Sequence, residues 1–177
     1  MKRRQFIKTG LITSSLPFAG SLLWANSLNQ KTKKDDPFNL LYAPHFGMFT
    51  HHSGKGLIDQ IQFMYDQGFR SLEDNGMKDR PLSDQERIVK KMSQLDMTMG
   101  VFVAHKIYWN KPNLASGDKD LQNEFVDHIR ESVEVAKRVN AKWMTVVPGY
   151  VDLGQEMGYQ TAHVVEALRR ASTILEP

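Results

Sequence analysis

Short apolar runs alternate with amphipathic helical patterns four times along this chain, and this alternation restricts the possible folds more than any other feature. The apolar runs lie at 38–43, 69–74, 97–105 and 141–150, and each is followed by apolar residues at helical spacing. Four strand–helix pairs in series predict a parallel sheet with right-handed crossovers. We therefore expect an α/β fold.

The helical stretches carry recognisable signals at their ends. The first ends at Gly68, a typical position for a C-terminal cap. Ser83 and Glu86 have the spacing of a capping box, which predicts that the second helix starts at Ser83. Apolar residues at helical spacing also predict the buried face of the fourth helix. These residues are Ala162, Val165, Leu168, Ala171 and Leu175.

Two architectures repeat this unit, namely the eight-stranded barrel and the open doubly wound sheet, and the strand spacing is compatible with both. The loop at 44–56 has neither of the glycine-rich phosphate-binding motifs, GxGxxG and GxxxxGK[ST]. Each predicted strand ends in polar or loop-forming residues, as the active face of a barrel requires. A complete barrel needs about 250 residues. We therefore expect 38–177 to form the first four βα units of a (β/α)8 TIM barrel, a half barrel that is a fragment.

The N-terminal segment predicts export. The paired basic residues Arg3 and Arg4 precede a weakly apolar stretch at 10–25 that is too short for a membrane span, which takes about 20 residues. A charged start, a modest apolar region and nearby small residues are typical of a secretory signal, and the arginine pair resembles a twin-arginine signal. We expect a signal peptide at 1–27, a linker at 28–37, a periplasmic location through the twin-arginine route and no stable membrane anchor.

The charge balance argues against a nucleic-acid-binding role. The formal net charge is +3, but the predicted signal carries four positive charges and no acidic residue. The rest of the chain is therefore close to neutral, whereas a nucleic-acid-binding protein needs a basic face. The chain also has no cysteine. An exported protein of this kind is stabilised by its packed core or by a bound ligand, since it can form no disulfide.

Candidate site residues follow the predicted strands. Glu73 ends the second strand and is a candidate acid, base or hydroxyl ligand, with a structural capping role as the alternative. His105 ends the third strand and is a candidate for polarising a carbonyl, with a structural histidine as the alternative. His45 follows the first strand and can reach the same mouth. Trp109 lies in a loop where its ring can stack on a sugar or pack against other loops.

Other polar residues predict structural roles. Asp74 is expected to stabilise the turn that follows the second strand. His51 and His52 are adjacent and lack the spacing of a zinc site, so they predict an exposed, flexible loop. His128 falls within a helical pattern and is expected on the surface.

The order of these segments resembles a known family. The stretches FNLLYA, SLEDNG, MTMGVFVAH and RVNAKWMTVVPG, with the helical patterns between them, are similar to the first half of the sugar isomerase/epimerase superfamily with the xylose isomerase-like TIM barrel. Within that superfamily, the likeness is to the hydroxypyruvate isomerase-like group. The resemblance covers 38–177, which is the whole chain after the predicted signal and linker.

This resemblance implies an isomerase or epimerase that moves a proton between adjacent carbons of a small sugar or hydroxy-acid substrate through an enediolate. It also implies a divalent metal, commonly Mg²⁺, Mn²⁺ or Zn²⁺, whose ligands follow later strands and are therefore expected after Pro177. No metal ligand is expected within this chain, and residues 1–177 alone are expected to be inactive. The unpaired edges of a half barrel predict a possible homo-oligomer.

Two alternatives remain open from the sequence. One is an exported carbohydrate-binding barrel without catalysis. The other is an endonuclease-like, metal-dependent phosphodiesterase, against which the near-neutral charge of the chain after the signal speaks.

Overall fold

Helices and strands alternate in the computed structural model, which describes residues 36–176. The predicted signal at 1–27, the predicted linker up to residue 35 and the last residue, Pro177, lie outside the described residues. None of the described helices is long and apolar enough to cross a membrane. The helices are α1 (Thr50–Ser53), α2 (Leu57–Asp66), α3 (Leu82–Gln94), α4 (Lys119–Val139) and α5 (Met157–Leu175), and the strands are β1 (Ser71–Leu72), β2 (Thr98–Met99), β3 (Val101–Val103) and β4 (Trp143–Thr145).

The strands pair in parallel. β1 pairs with β2, and β3 pairs with β4. The Gly100 N–H donates to the Leu72 carbonyl oxygen at 2.8 Å and the Asp74 N–H to the Val101 carbonyl oxygen at 3.2 Å, so the segment after Leu72 also hydrogen-bonds across the break between β2 and β3. Neighbours in space therefore follow chain order, as consecutive βα units require. This confirms a mixed α/β fold with parallel strands, and the half barrel that ends at Pro177 stays a prediction.

The predicted first strand at 38–43 is wrong. These residues form no strand, and Leu41 is 70% exposed. Just after this segment, His45 forms an isolated parallel bridge with Glu73. An apolar run is stable as a strand only where other residues cover it, and the described residues leave this one open to solvent.

The larger core cluster lies between the strands and helices α2, α3 and α4. Phe102 of β3 is fully buried in it. Gly100 interrupts the predicted strand at 97–105, so that Met99 and Phe102 both join this core although strict alternation would place them on opposite faces. The fully buried members of this cluster are Ile61, Met64, Leu72, Met77, Ile88 and Phe102.

The predicted capping box of the second helix is wrong. That helix, α3, begins at Leu82 with Pro81 as its N-cap residue, and no side chain caps it. Ser83 therefore lies inside the first turn. A side-chain cap occurs instead at α4, where the carboxylate of Asp118 accepts the backbone N–H of Asp120 at 2.8 Å. Such a cap satisfies a backbone donor that the helix itself leaves unpaired.

A second core cluster packs α5 against α4 and the 3-10 turn at Leu114–Ser116. Ala171 is buried as predicted, and Ala167 is buried in the same face. The buried residues of α5 are Gln160, Ala167 and Ala171, and Val164 and Ile174 pack against the same cluster. The other four residues expected in this face are exposed, so this part of the prediction is wrong; they are Ala162, Val165, Leu168 and Leu175.

Candidate functional site

A cavity of about 450 Å³ opens beside the carboxyl-terminal ends of β1 and β3. Asn75 comes from the turn after β1, the segment around His105 follows β3, and His128 comes from α4. Parallel α/β folds place ligand sites at this edge, where strand ends and loops meet. The lining residues are Asn75, Lys78, Asp79, Val103, His105, Lys106, Ile107, Trp109 and His128.

The structure places two of the predicted site residues, His105 and Trp109, in the wall of this cavity. Trp109 is 73% exposed, so its ring is accessible to a ligand. An exposed aromatic ring at a cavity mouth offers a stacking surface for a sugar face. This position is compatible with the substrate-binding role predicted for Trp109.

Glu73 and His45 lie together at the neighbouring strand end. The parallel bridge joins their backbones, and Glu73 is partly buried two residues before Asn75. Gly100 lies directly beside this residue, because a Cβ placed on Gly100 would lie 3.5 Å from the Cβ of Glu73. His45 is exposed, and its Nδ1 lies 2.8 Å from the Phe46 carbonyl oxygen. The Nδ1 is therefore the donor, which leaves Nε2 accessible.

The backbone engages both ring nitrogens of His105. The Nε2 accepts the N–H of Val147 at 3.1 Å, and the Nδ1–H donates to the Lys106 carbonyl oxygen at 2.8 Å. Since a backbone N–H can only donate, the ring must be the neutral Nδ1–H tautomer. Burial lowers the pKa of His105 below its ordinary value of 6.5, and the nearby His128 lowers it further. In this structure His105 ties the end of β3 to the chain after β4 and has no ring nitrogen open to a substrate.

The sequence did not predict that His128 lines the cavity. This residue was expected on the surface, but it lines the cavity, and its Nδ1 accepts the Lys106 N–H at 3.3 Å. The signal lies in helical spacing, since His128 is three residues after the buried Phe125 and four before the buried Ser132. The Ser132 hydroxyl donates to the Ala104 carbonyl oxygen at 2.5 Å, so this side of α4 faces the end of β3.

Two lysines line the cavity. Lys78 has a side chain only 15% exposed, and its ammonium lies 2.8 Å from the Glu131 carboxylate of α4. The Lys106 ammonium lies 3.9 Å from the Glu124 carboxylate and 4.6 Å from the centroid of the Tyr108 ring. The hydrogen bond and charge interaction with Tyr108 raise the pKa of Lys106. Lys106 therefore stays protonated near neutral pH.

Asp74 has the turn-stabilising role that the sequence predicts. Its carboxylate is buried and accepts the Gly76 N–H at 3.2 Å. It also forms an ion pair with Arg80, whose guanidinium lies 5.0 Å from the centroid of the Phe46 ring. These contacts fix the turn that carries Asn75 to the cavity.

His51 and His52 lie in the short helix α1, so the prediction of a flexible loop is wrong. The His52 ring stacks on the Phe63 ring with centroids 5.8 Å apart. Phe63 belongs to α2, and α1 is therefore held against that helix.

The described residues do not supply the divalent-metal site that the resemblance implies. No group of three or more His, Asp or Glu residues that could hold a metal ion occurs within residues 36–176. Metal sites of the expected kind need several converging oxygen or nitrogen ligands. The resemblance places those ligands after Pro177, which itself lies outside the described residues, so their position stays a prediction. We therefore assign no catalytic step to a metal.

No family model and no curated protein matches this chain. Solved structures do match. An AP endonuclease, family 2, from Brucella melitensis is 14% identical with a TM-score of 0.58, and the match covers 74% of this chain and 49% of that one. The 3-keto-D-glucoside 4-epimerase YcjR from E. coli, in its apo form, is 11% identical with a TM-score of 0.56, and the match covers 76% and 51%.

These likenesses establish a TIM-barrel-like fold for the matched part of the chain. The chain spans about half the length of both structures. At this level of identity the fold alone is shared, because one fold supports many different reactions. Membership of the hydroxypyruvate isomerase-like group and the twin-arginine signal stay predictions.

Proposed function

We propose that this chain carries part of the site of a sugar isomerase or epimerase that acts on a small sugar or hydroxy-carbonyl compound, in the manner of a hydroxypyruvate isomerase. The observation that carries the proposal is the cavity at the ends of β1 and β3, which is lined by two lysines and an accessible aromatic ring. Glu73 is two residues before Asn75, which lines this cavity. The fold likeness to a 3-keto-D-glucoside 4-epimerase supports it.

Glu73 is the proposed acid–base group. Its carboxylate accepts the proton from the carbon next to the substrate carbonyl, and the electron pair moves to the carbonyl oxygen to give an enediolate. The carboxylic acid then returns the proton to the former carbonyl carbon, while the proton of the neighbouring hydroxyl passes to the former carbonyl oxygen, so that the new carbonyl forms at the hydroxyl-bearing carbon. Lys78 and Lys106 place positive charge near the cavity, where it stabilises the developing oxyanion.

For His105 we propose a positioning role in place of the predicted direct catalytic role, because both its nitrogens bind backbone. His105 holds the end of β3 against the chain after β4. Trp109 and His45 remain the proposed substrate-binding residues, with Trp109 stacking on the substrate and His45 offering its Nε2 at the neighbouring strand end.

We further propose that the working site includes a divalent metal held by ligands that follow Pro177, and that the protein is exported to the periplasm by the twin-arginine route. That route carries folded proteins, so it suits a protein that acquires a metal before export. Replacing Arg3 and Arg4 by Lys is expected to retain the protein in the cytoplasm, as seen by cell fractionation. Normal export of the variant would contradict this route.

Solvent exchange tests the proton transfer most directly. The full chain is incubated in D₂O with hydroxypyruvate and, separately, with dihydroxyacetone, and proton NMR follows loss of the C–H signal next to the carbonyl. Exchange needs only the removal and return of one proton, so we expect it from residues 1–177 although these residues alone are expected to complete no isomerisation. We expect Glu73→Gln to lower the rate about a hundredfold or more, in the range for loss of a general base.

Glu86→Gln is the matched control, because Glu86 is an exposed carboxylate of α3. It should leave the rate unchanged. Equal rates in the wild type and Glu73→Gln would remove Glu73 from the mechanism. Absence of exchange from both substrates would contradict the proposed isomerase chemistry in this chain.

Endonuclease-like phosphodiester cleavage is the second candidate, favoured by the fold likeness to an AP endonuclease and by the two amines at the cavity. A nicking assay on duplex DNA with one abasic site tests it. Metal-dependent cleavage that is lost in Lys78→Gln would favour this candidate, and intact DNA would exclude it for this chain.

A further inference from the structure

We infer that the cavity binds an anionic end group of the substrate, a carboxylate or a phosphate monoester, between Lys78 and Lys106. The inference deepens the proposed function and rests on it, because it names the substrate class at the same site. Among the ionisable side chains that line the cavity, two lysines are opposed by a single carboxylate, that of Asp79.

The anionic partners of both amines come from outside the cavity lining. Glu131 and Glu124 belong to α4 and do not line the cavity, so these carboxylates hold the two lysines without occupying the cavity. An ammonium has three donors, and the contact between Lys78 and Glu131 uses one of them. Each amine therefore keeps donors for a ligand.

Neutral donors complete the same wall. The Nδ1 of His128 accepts the Lys106 N–H, so the neutral ring carries its proton on Nε2 and can donate from there. The side-chain amide of Asn75 adds further N–H donors. Charge-assisted hydrogen bonds from the two amines to an oxyanion are about twice as strong as neutral ones. Neutral sugar hydroxyls would gain less from this arrangement than an anion.

Three probes of the same carbon length separate the possible ligands. The full chain, labelled with ¹⁵N, is titrated with glycerate, glycerol 3-phosphate and glycerol while amide and histidine ring signals are recorded. We expect saturable shifts at Asn75, Lys106 and His128 with one or both anions and none with glycerol at the same concentration. Binding of glycerate alone identifies a carboxylate site, and binding of glycerol 3-phosphate alone identifies a phosphate site.

The double variant Lys78→Gln with Lys106→Gln should weaken anion binding about tenfold or more, given the strength of charge-assisted contacts. The charge-matched control is Lys90→Gln with Lys142→Gln, since neither lysine lines the cavity. Circular dichroism checks that both double variants fold. Equal weakening in the two double variants, equal shifts with glycerol, or no saturable shift would each overturn the inference.

The result is separable from the test of Glu73. If anions bind but Glu73→Gln exchanges as fast as the wild type, only the proposed acid–base role of Glu73 is contradicted. Exchange that depends on Glu73 while no anion binds would contradict the anion site alone.

Discussion

Two regions of the molecule carry similar apolar residues but differ in how far these residues are buried. One is the side of α2, α3 and α4 that faces the strands, and the other is formed by β4 and α5. Phe102 is fully buried in the larger core cluster, whereas Trp143 of β4 is 71% exposed. On α5, two alanines are buried and the larger Val165 and Leu168 are exposed. An apolar pattern therefore predicts whether a segment forms a helix or a strand, whereas the burial of its side chains depends on whether another layer of structure covers them.

The candidate site lies beside α4, where the two regions meet. α4 contributes Ile129 to one cluster and Val135 and Val139 to the other, so it joins the two regions. The same helix supplies His128 to the cavity wall and Glu131 to Lys78. Residues of the cavity are therefore positioned by a helix that packs along most of its length.

The largest expected difference between the two regions comes from truncating one aromatic residue in each. Phe102→Ala should lower the free energy of unfolding by about 3–5 kcal/mol, because it leaves a cavity in a closed core. Trp143→Ala should change it by less than about 0.5 kcal/mol, as for other exposed positions. Urea denaturation of the full chain measures both. Similar losses would mean that Trp143 is covered in solution.

His105→Gln should lower the free energy of unfolding by about 1–3 kcal/mol, because it disturbs two partly buried hydrogen bonds to backbone. The wild-type pH dependence follows from the lowered pKa of His105. The unfolded chain binds a proton below pH 6.5 and the folded chain does not, so stability is lost as the pH falls below 6.5.

Denaturation at one pH unit above and one below 6.5 checks this. The wild type should lose more stability than His105→Gln between the two. An equal loss in both proteins would show that His105 is not held neutral by burial.

The helix starts provide a smaller difference. Asp118→Ala removes the side-chain cap of α4 and should cost about 1 kcal/mol. Ser83→Ala lies inside the first turn of α3 and should be within about 0.5 kcal/mol of wild type. Thermal denaturation followed by circular dichroism measures the stability of both variants. A larger loss of stability in Ser83→Ala than in Asp118→Ala would support the predicted capping box.

Val165→Ser should have the smallest effect on stability, below about 0.5 kcal/mol, because Val165 is 40% exposed and lies outside both core clusters. Its effect should fall on association. Exposed apolar residues on β4 and α5 favour self-association, which would give the homo-oligomer that the sequence predicts. Light scattering at increasing concentration should show less association for Val165→Ser than for wild type, and an unchanged profile would take this face out of any such contact.

The sequence predicts the elements well where their pattern is long. Helices α2, α4 and α5 lie where helical spacing indicates, because many residues contribute to each pattern. The segment at 38–43 fails for the opposite reason, since a run of six residues specifies a strand only when a neighbouring layer covers it. Pro81 explains the other failure, because it takes the N-cap position that the capping-box pattern assigns to Ser83.

The candidate site is predicted in part. Position at a strand end leads to His105 and Trp109, which line the cavity, and to Glu73, whose role stays a prediction. Strand position gives no information on hydrogen-bond partners, so the engagement of both nitrogens of His105 could not be foreseen. His128 and Lys78 reach the cavity from a helix and a turn, and their placement depends on packing between elements that are distant in the chain.

The central claim is that separate strand ends meet at one cavity, and paramagnetic broadening measures this most directly. The chain has no cysteine, so Trp109→Cys provides a single attachment site for a spin label. The account predicts strong broadening of the amide signals of Asn75, Lys78 and His128, which lie far from Trp109 in sequence but line the same cavity. Broadening confined to residues adjacent to Trp109 in the chain would contradict it.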